Sequence, residues 1–294
     1  MMFKIKKYIP DIVVAIILIA GIGLLAYPTI GDYINALHSS KAIGSYVEKT
    51  KDLSKEEKEN LLREAREYNE SLVGKVNRYY LNEEEKKRYA HILDITKTGI
   101  MAYVEIPKLN IYMPVYHGTD EGVLQIAAGH LPGSSLPVGG ENTHSLISGH
   151  RGLPSAKLFT DIDKLKKGDL FFIHVFDEVL AYKVNQIKIV LPDDVETLEI
   201  EKGKDYVTLI TCTPYGVNSH RLLVRGTRTE YVEEEKSNDT IPQKLAQTDP
   251  KKVLAAGSAV LVILILLVYL IVRRSGKRRG SGGKEEAEKS GKEN

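Results

Sequence analysis

Cys212, the chain's one cysteine, is the strongest nucleophile the sequence offers. It follows Val207-Thr-Leu-Ile-Thr211 and precedes Thr213-Pro-Tyr-Gly216. In a strand, Val207, Leu209 and Thr211 face one way, and Thr208, Ile210 and Cys212 face the other. Pro214 and Gly216 must break the ladder directly afterwards. Cys212 therefore sits at a strand end, where a side chain can reach the mouth of a cleft. A buried cysteine acting as a small hydrophobe fits the same segment equally well.

A thiol needs help to react, because its ordinary pKa of about 8.5 leaves only a few per cent thiolate at pH 7. Histidine is the usual helper. Of the eight present, His38 follows the first apolar run and His174 alternates within a strand, so both read as bland. Ser148-Gly-His-Arg-Gly152 reads as a strand followed by a glycine-flanked turn, which can project the His150 imidazole without a bulky neighbour. His130, in Ala128-Gly-His-Leu-Pro132, has a similar claim, and periodicity does not choose between them. Arg221 lies nine residues beyond Cys212, across a turn containing Pro and Gly. A hairpin-like return brings the two together, and an Arg there lowers a thiol pKa and can bond an oxyanion. A surface strand Arg is the plain alternative. His220 is a rival base, but it faces away if Arg221 faces the cleft.

The elements that must position these residues are mostly β. The chain has 294 residues and a net charge of only +2, so no bulk field points to nucleic acid. One cysteine excludes an internal disulfide. From Gly99 onward, short strands are expected at 103–107, 111–116, 145–148, 170–175, 179–190, 206–211 and 221–227, the pattern of a sandwich or barrel. Residues 132–142 read as a loop. Upstream, Ser54-Lys-Glu-Glu57 has the form of a capping box. Leu61, Ala65, Tyr68 and Leu72 follow at helical spacing, and Gly74 can end that helix. The stretch 75–98 has no clean period and reads as a loop or short helix.

Two apolar runs flank this region. Residues 12–30 and the 20 residues 253–272 are each long enough for a bilayer. Lys4, Lys6 and Lys7 precede the first, and Arg273, Arg274, Lys277, Arg278 and Arg279 follow the second. The positive-inside rule then puts both ends in the cytoplasm and residues 31–250 outside the cell. The domain reading is a cytoplasmic stretch 1–8, an anchor 9–30, a helical segment 31–98 that is a candidate for a lid, and a β-rich barrel or sandwich 99–230. A polar linker 231–252, a second span 253–272 and a basic, disordered cytoplasmic tail 273–294 follow.

Thr208-Leu-Ile-Thr-Cys212 resembles the Thr-Leu-x-Thr-Cys signature of sortases, the cysteine transpeptidases of Gram-positive bacteria. The continuation Thr213-Pro-Tyr-Gly-Val-Asn-Ser-His-Arg-Leu-Leu-Val-Arg-Gly226 is similar to the segment in class C, pilus-type sortases. Ser148-Gly-His-Arg-Gly152 resembles the family's His motif. The resemblance covers about residues 99–228 and implies a closed eight-stranded β-barrel with an N-terminal helical or lid segment and two transmembrane helices. It assigns Cys212 as nucleophile, His150 as acid/base and Arg221 as electrostatic stabiliser, and decides against His130 and His220. One departure stands out. Class C sortases often carry an Asp-Pro-aromatic lid tripeptide, and none lies between 73 and 98. Tyr79 and Tyr80 are the nearest aromatic candidates for a lid, with Glu83, Glu84 and Glu85 as acidic groups that can approach Arg221.

The resemblance further implies cleavage of a Leu-Pro-x-Thr-Gly-like sorting signal through a thioester on Cys212. The acyl group then passes to a pilin Lys amine, with no metal or organic cofactor. The implied partners are sorting-signal-bearing surface proteins or pilins, an amine acceptor and the membrane. Two other readings stand beside it: anchoring of surface proteins to a peptidoglycan-precursor amine, and a non-enzymatic binding protein on a sortase-like barrel.

Overall fold

The computed structural model describes residues 9–231. The described residues fall into two compact units, one of residues 9–27 and one of residues 28–231. The second apolar run, the linker and the tail expected at 231–294 lie outside the described residues, Tyr231 excepted. In the first unit the described residues form the start of helix α1 (Ile9–Asp52). Ile16, Ile17, Leu24 and Leu25 are all exposed there. This is the one helix among the described residues long and apolar enough to cross a membrane.

The second unit begins at Pro28. Here α1 continues past the apolar run, without a break, as far as Asp52. The reason lies in its buried face: Ile43 and Tyr46 are covered completely. Tyr46 Oη donates to Met101 O at 3.0 Å and accepts from Phe176 N at 2.9 Å. Helix α2 (Lys55–Leu72) starts at the expected capping box, with the Ser54 side chain accepting from Glu57 N and the Glu57 carboxylate from Ser54 N. It buries Leu62, Ala65, Tyr68, Asn69 and Leu72. The stretch without a clear period contains a third helix, α3 (Glu83–His91), opened by an Asn82 capping box and holding Tyr89 in the core. Its single buried residue explains the missing period.

Eight strands close into a barrel in the order β1-β2-β3-β4-β7-β8-β6-β5. They are β1 (Ile100–Ile106), β2 (Ile111–His117), β3 (Ala128–His130), β4 (Thr143–Ser148), β5 (Leu170–Val175), β6 (Glu178–Val190), β7 (Asp205–Thr213) and β8 (His220–Thr229). The three-residue β3 was not among the expected strands. It pairs parallel to β2 through a crossover containing the short helix α4 (Glu121–Leu124). β4 pairs parallel to β7, and β7 antiparallel to β8. A closed barrel leaves no unpaired edge. The main core includes Val207, Leu209, Leu222 and Val224, from the inward side of β7 and β8.

A candidate active site on the outer face of three strands

The expected alternation in β7 holds. Val207 and Leu209 join the barrel core, while Ile210 joins a separate outer cluster with Leu146, Leu198 and Leu223. Cys212 shares the outer side with Ile210 and is only half-buried. Cys212 and Arg221 are direct partners across the β7–β8 ladder. Cross-strand partners point to the same side, with Cβ atoms about 4.5–5.5 Å apart. The hairpin return thus puts the Arg221 side chain on the same rung and the same side of the ladder as Cys212. Arg221 Nη1 donates to Asn218 O at 3.3 Å and His220 O at 3.2 Å. These are its hydrogen bonds among the described residues, so other guanidinium donors remain for a ligand.

His150 reaches the same end of the sheet from β4. The parallel register pairs Ser148 with Ile210, so a histidine two residues on lies level with Cys212. Its backbone is clamped on three sides. Gly149 N donates to Ile210 O at 3.0 Å, Thr211 Oγ1 donates to Gly149 O at 2.7 Å, and Phe159 N donates to His150 O at 3.1 Å. Gly149 is required for volume rather than for a turn conformation. A Cβ there would lie 2.6 Å from the Phe159 ring. Arg151 turns onto Thr213 and Asp163.

Four of the other histidines have different surroundings. His130 is completely buried, with Tyr89 Oη 2.9 Å from Nδ1 and Ser135 O 2.8 Å from Nε2. Burial pushes its pKa down to about 3, against a smaller upward pull from the Ser135 carbonyl. His144 is held between Glu199 O and Thr208 Oγ1, and burial pushes it to about 4. His174 is buried against Glu105 at 2.7 Å. His220 contacts Ser219 and pairs with Thr213, one rung from Arg221. His150 is the histidine level with the thiol.

His130 and His144 also set a pH dependence. Both pKa values lie below the unfolded value of about 6.5. The unfolded chain therefore binds protons that the native state refuses, so their contribution is complete above about pH 6.5 and is lost as pH falls. Two such groups give a slope of about 2–3 kcal/mol per pH unit near pH 5. The urea midpoint is expected to drop clearly between pH 7 and pH 5; equal midpoints would remove this assignment.

The lid candidates separate. Tyr80 is 82% exposed, whereas Tyr79 packs on the outer cluster that contains Ile210. Arg78, which drew no attention in the sequence, anchors this segment. It is 4% exposed and its Nη2 donates to Leu198 O at 2.6 Å and Tyr79 Oη at 2.8 Å. A Cβ on Gly133 would lie 2.2 Å from Arg78 O, so glycine lets the segment pass against the barrel. Glu83 and Glu85 pair with Lys86 and Lys75, and none of Glu83, Glu84 and Glu85 contacts Arg221 among the described residues. No cluster of three or more potential metal ligands occurs among the described residues.

The Sortase domain family matches residues 104–229, which contain all three of Cys212, His150 and Arg221. Sortase A of Bacillus anthracis is 31% identical over 132 residues, 45% of this chain and 61% of its own length. This chain thus spans about three-fifths of that curated relative. Among solved structures, sortase C1 of Streptococcus agalactiae is 49% identical with a TM-score of 0.64, over 65% of this chain and 100% of that one. Streptococcus pneumoniae sortase C is 48% identical with a TM-score of 0.59, over 65% of this chain and 97% of that one. The chain belongs to the sortase family of cysteine transpeptidases. Within it, the likeness is to the class C, pilus-type sortases.

Proposed function

We propose that this chain cleaves a Leu-Pro-x-Thr-Gly-like sorting signal and joins the acyl group to a pilin Lys amine. The observation that carries this reading is the pairing of Cys212 with Arg221 on one rung of the barrel, with His150 level beside them. Cys212 attacks the Thr carbonyl, and Arg221 donates to the oxyanion of the tetrahedral intermediate. His150 passes a proton to the leaving amine, which leaves a thioester on Cys212. The amine of a second pilin then attacks that thioester and restores the thiol. The pilin assignment follows the likeness to the Streptococcus pneumoniae sortase, for which pilins are the substrates. The apolar start of α1 serves as a membrane anchor, and the basic flanks of the two apolar runs favour cytoplasmic ends with the barrel outside.

Surface polymers from cells with and without this chain test the reading. Mass spectrometry is expected to find Thr–Lys isopeptide linkages between pilins only in the first, and protease added outside should remove the barrel. Single proteins joined to a peptidoglycan-precursor amine, with no polymer, would favour the anchoring reading instead.

We also propose that Tyr79, and not Tyr80, covers the groove floor. A lid that must open lowers apparent substrate affinity by its open fraction. Y79A is expected to speed alkylation of Cys212, while Y80A leaves it unchanged. Equal labelling of wild type and a well-folded Y79A would reduce Tyr79 to a packing residue.

A further inference from the structure

The catalytic histidine has an unused side. His150 Nε2 is buried and makes no hydrogen bond among the described residues. The carboxylate Oε2 of Glu121 stands 3.4 Å from it, an ion-pair distance rather than a closed hydrogen bond. Glu121 reaches this place by the crossover from β2 to β3. It opens α4, and Ala127 N and Gln125 N bond back into that turn at 3.0 Å. β3 then pairs with β4 through Gly129 and Ser148, two residues before His150. The close pass of Gly118 against Gly129 fixes the start of the crossover, since a Cβ on Gly129 would lie 2.2 Å from Gly118 O. The carboxylate is itself held, because Gln125 Nε2 donates to Glu121 Oε1. The bond from Gln125 and the nearby imidazole both hold the Glu121 carboxyl below its ordinary range, so it is ionised where the enzyme works.

We propose that Glu121 is a positioning residue that orients His150 through Nε2 and stabilises its protonated form, leaving Nδ1 to exchange the proton with Cys212 and the leaving amine. The inference rests on the sortase reading only for its second half. The Cys212 S–H proton moves to Nδ1, giving thiolate and imidazolium. The same proton leaves Nδ1 for the amine as the acyl bond breaks. Glu121 keeps its charge throughout and takes no proton, as the carboxylate of a nucleophile–base–orienter triad does. A hydrogen bond between Nε2–H and Oε2 closes when the ring becomes cationic, because a charged pair is shorter and stronger than a neutral one. The other ionisable groups on the surrounding elements include Cys212 of β7, Arg221 of β8, Arg151 and Asp120, the N-cap of α4 next to Glu121. Arg151 is already committed to Asp163 and Thr213. Glu121 is the one acidic group within ion-pair distance of His150 among the described residues.

The test separates this inference from the reading it rests on by measuring Cys212 itself. The chain has one cysteine, so iodoacetamide alkylation of the full-length protein reports the thiolate without any substrate. Wild type, E121Q, E121D and Q125A are alkylated across pH 5 to 9, and sorting-peptide cleavage is followed in parallel. E121Q is expected to slow alkylation near neutral pH about tenfold, equivalent to roughly one pH unit of linked protonation. E121D should recover part of the loss, and Q125A should show a smaller one. In cleavage, E121Q should lower kcat with KM nearly unchanged and move the pH optimum downward. Melting should be unaffected, since the Glu121 side chain is 70% exposed. Coincident alkylation curves for wild type and a folded E121Q, or an E121D that recovers no more than E121Q does, would overturn the proposal. An altered alkylation curve with no peptide cleavage by wild type would support Glu121 and count against the transpeptidase reading alone.

Discussion

Full-length C212A is expected to form no acyl-enzyme and no polymer. The motivating observation is a half-buried thiol at a strand end, beside an Arg on the same rung. The substitution removes the atom that carries the acyl group. No other cysteine can substitute for it. Loss of an enzyme nucleophile costs on the order of 10⁴-fold or more, with residual turnover coming from binding and oxyanion stabilisation. Stability should hardly change, because the site is partly open and alanine keeps the Cβ. Trapping with a sorting peptide followed by mass spectrometry reads the thioester directly. Polymer formation by C212A at the wild-type rate would exclude covalent catalysis through this residue.

The second large effect is the loss of His150 or Arg221, the proposed base and oxyanion donor. H150A should lose nearly all turnover. R221A should lose roughly 10²–10³-fold, the cost of one oxyanion donor. R221K should recover only part, because an ammonium lacks the planar fork that allows two parallel bonds. H220A provides the contrast within the same turn, and it should retain most activity. H130A should fail differently. Removing the buried imidazole leaves Ser135 O without its His130 donor, at a cost of about 1–3 kcal/mol, and opens a cavity beside Tyr89, whose Oη keeps His130 O and Gly118 N. The loss should therefore appear in melting before it appears in kcat. If a folded H220A were as inactive as H150A, the base would have to be reassigned.

The alternation of β7 was legible because a strand's period is short and its faces are chemically distinct. Val207 and Leu209 go to the core, and Cys212 goes out with Ile210. The Arg221 pairing followed from counting across one turn. His150 and His130 were not separable by local pattern, since both stand near a strand end beside glycine. What sets His130 apart is Tyr89, 41 residues away in sequence, together with a burial that only the folded barrel creates. Strand β3 was missed because three residues, one of them glycine, carry no readable period. The continuity of helix α1 from the apolar run to Asp52 was not legible, because a span is recognised by apolar length alone while its continuation is held by contacts to Met101 and Phe176. Arg78 and Glu121 gave no signal at all. Each looks like an ordinary surface charge until the chain brings Leu198 or His150 to it.

The shared rung of Cys212 and Arg221 has an evolutionary consequence. A strand residue's side is fixed by parity, so inserting or deleting one residue within β7 turns every later side chain to the opposite face. Such a change between Val207 and Cys212 would send the thiol into the barrel interior and bring a core residue out to the groove. The same event in β8 would strand Arg221. The two strands can therefore tolerate substitution but not a change of length ahead of the reactive residues. Length variation is confined to the turn between Pro214 and Ser219, where an added residue leaves the ladder's parity intact. A lineage of such enzymes can vary that turn freely while the spacing inside each reactive strand stays frozen.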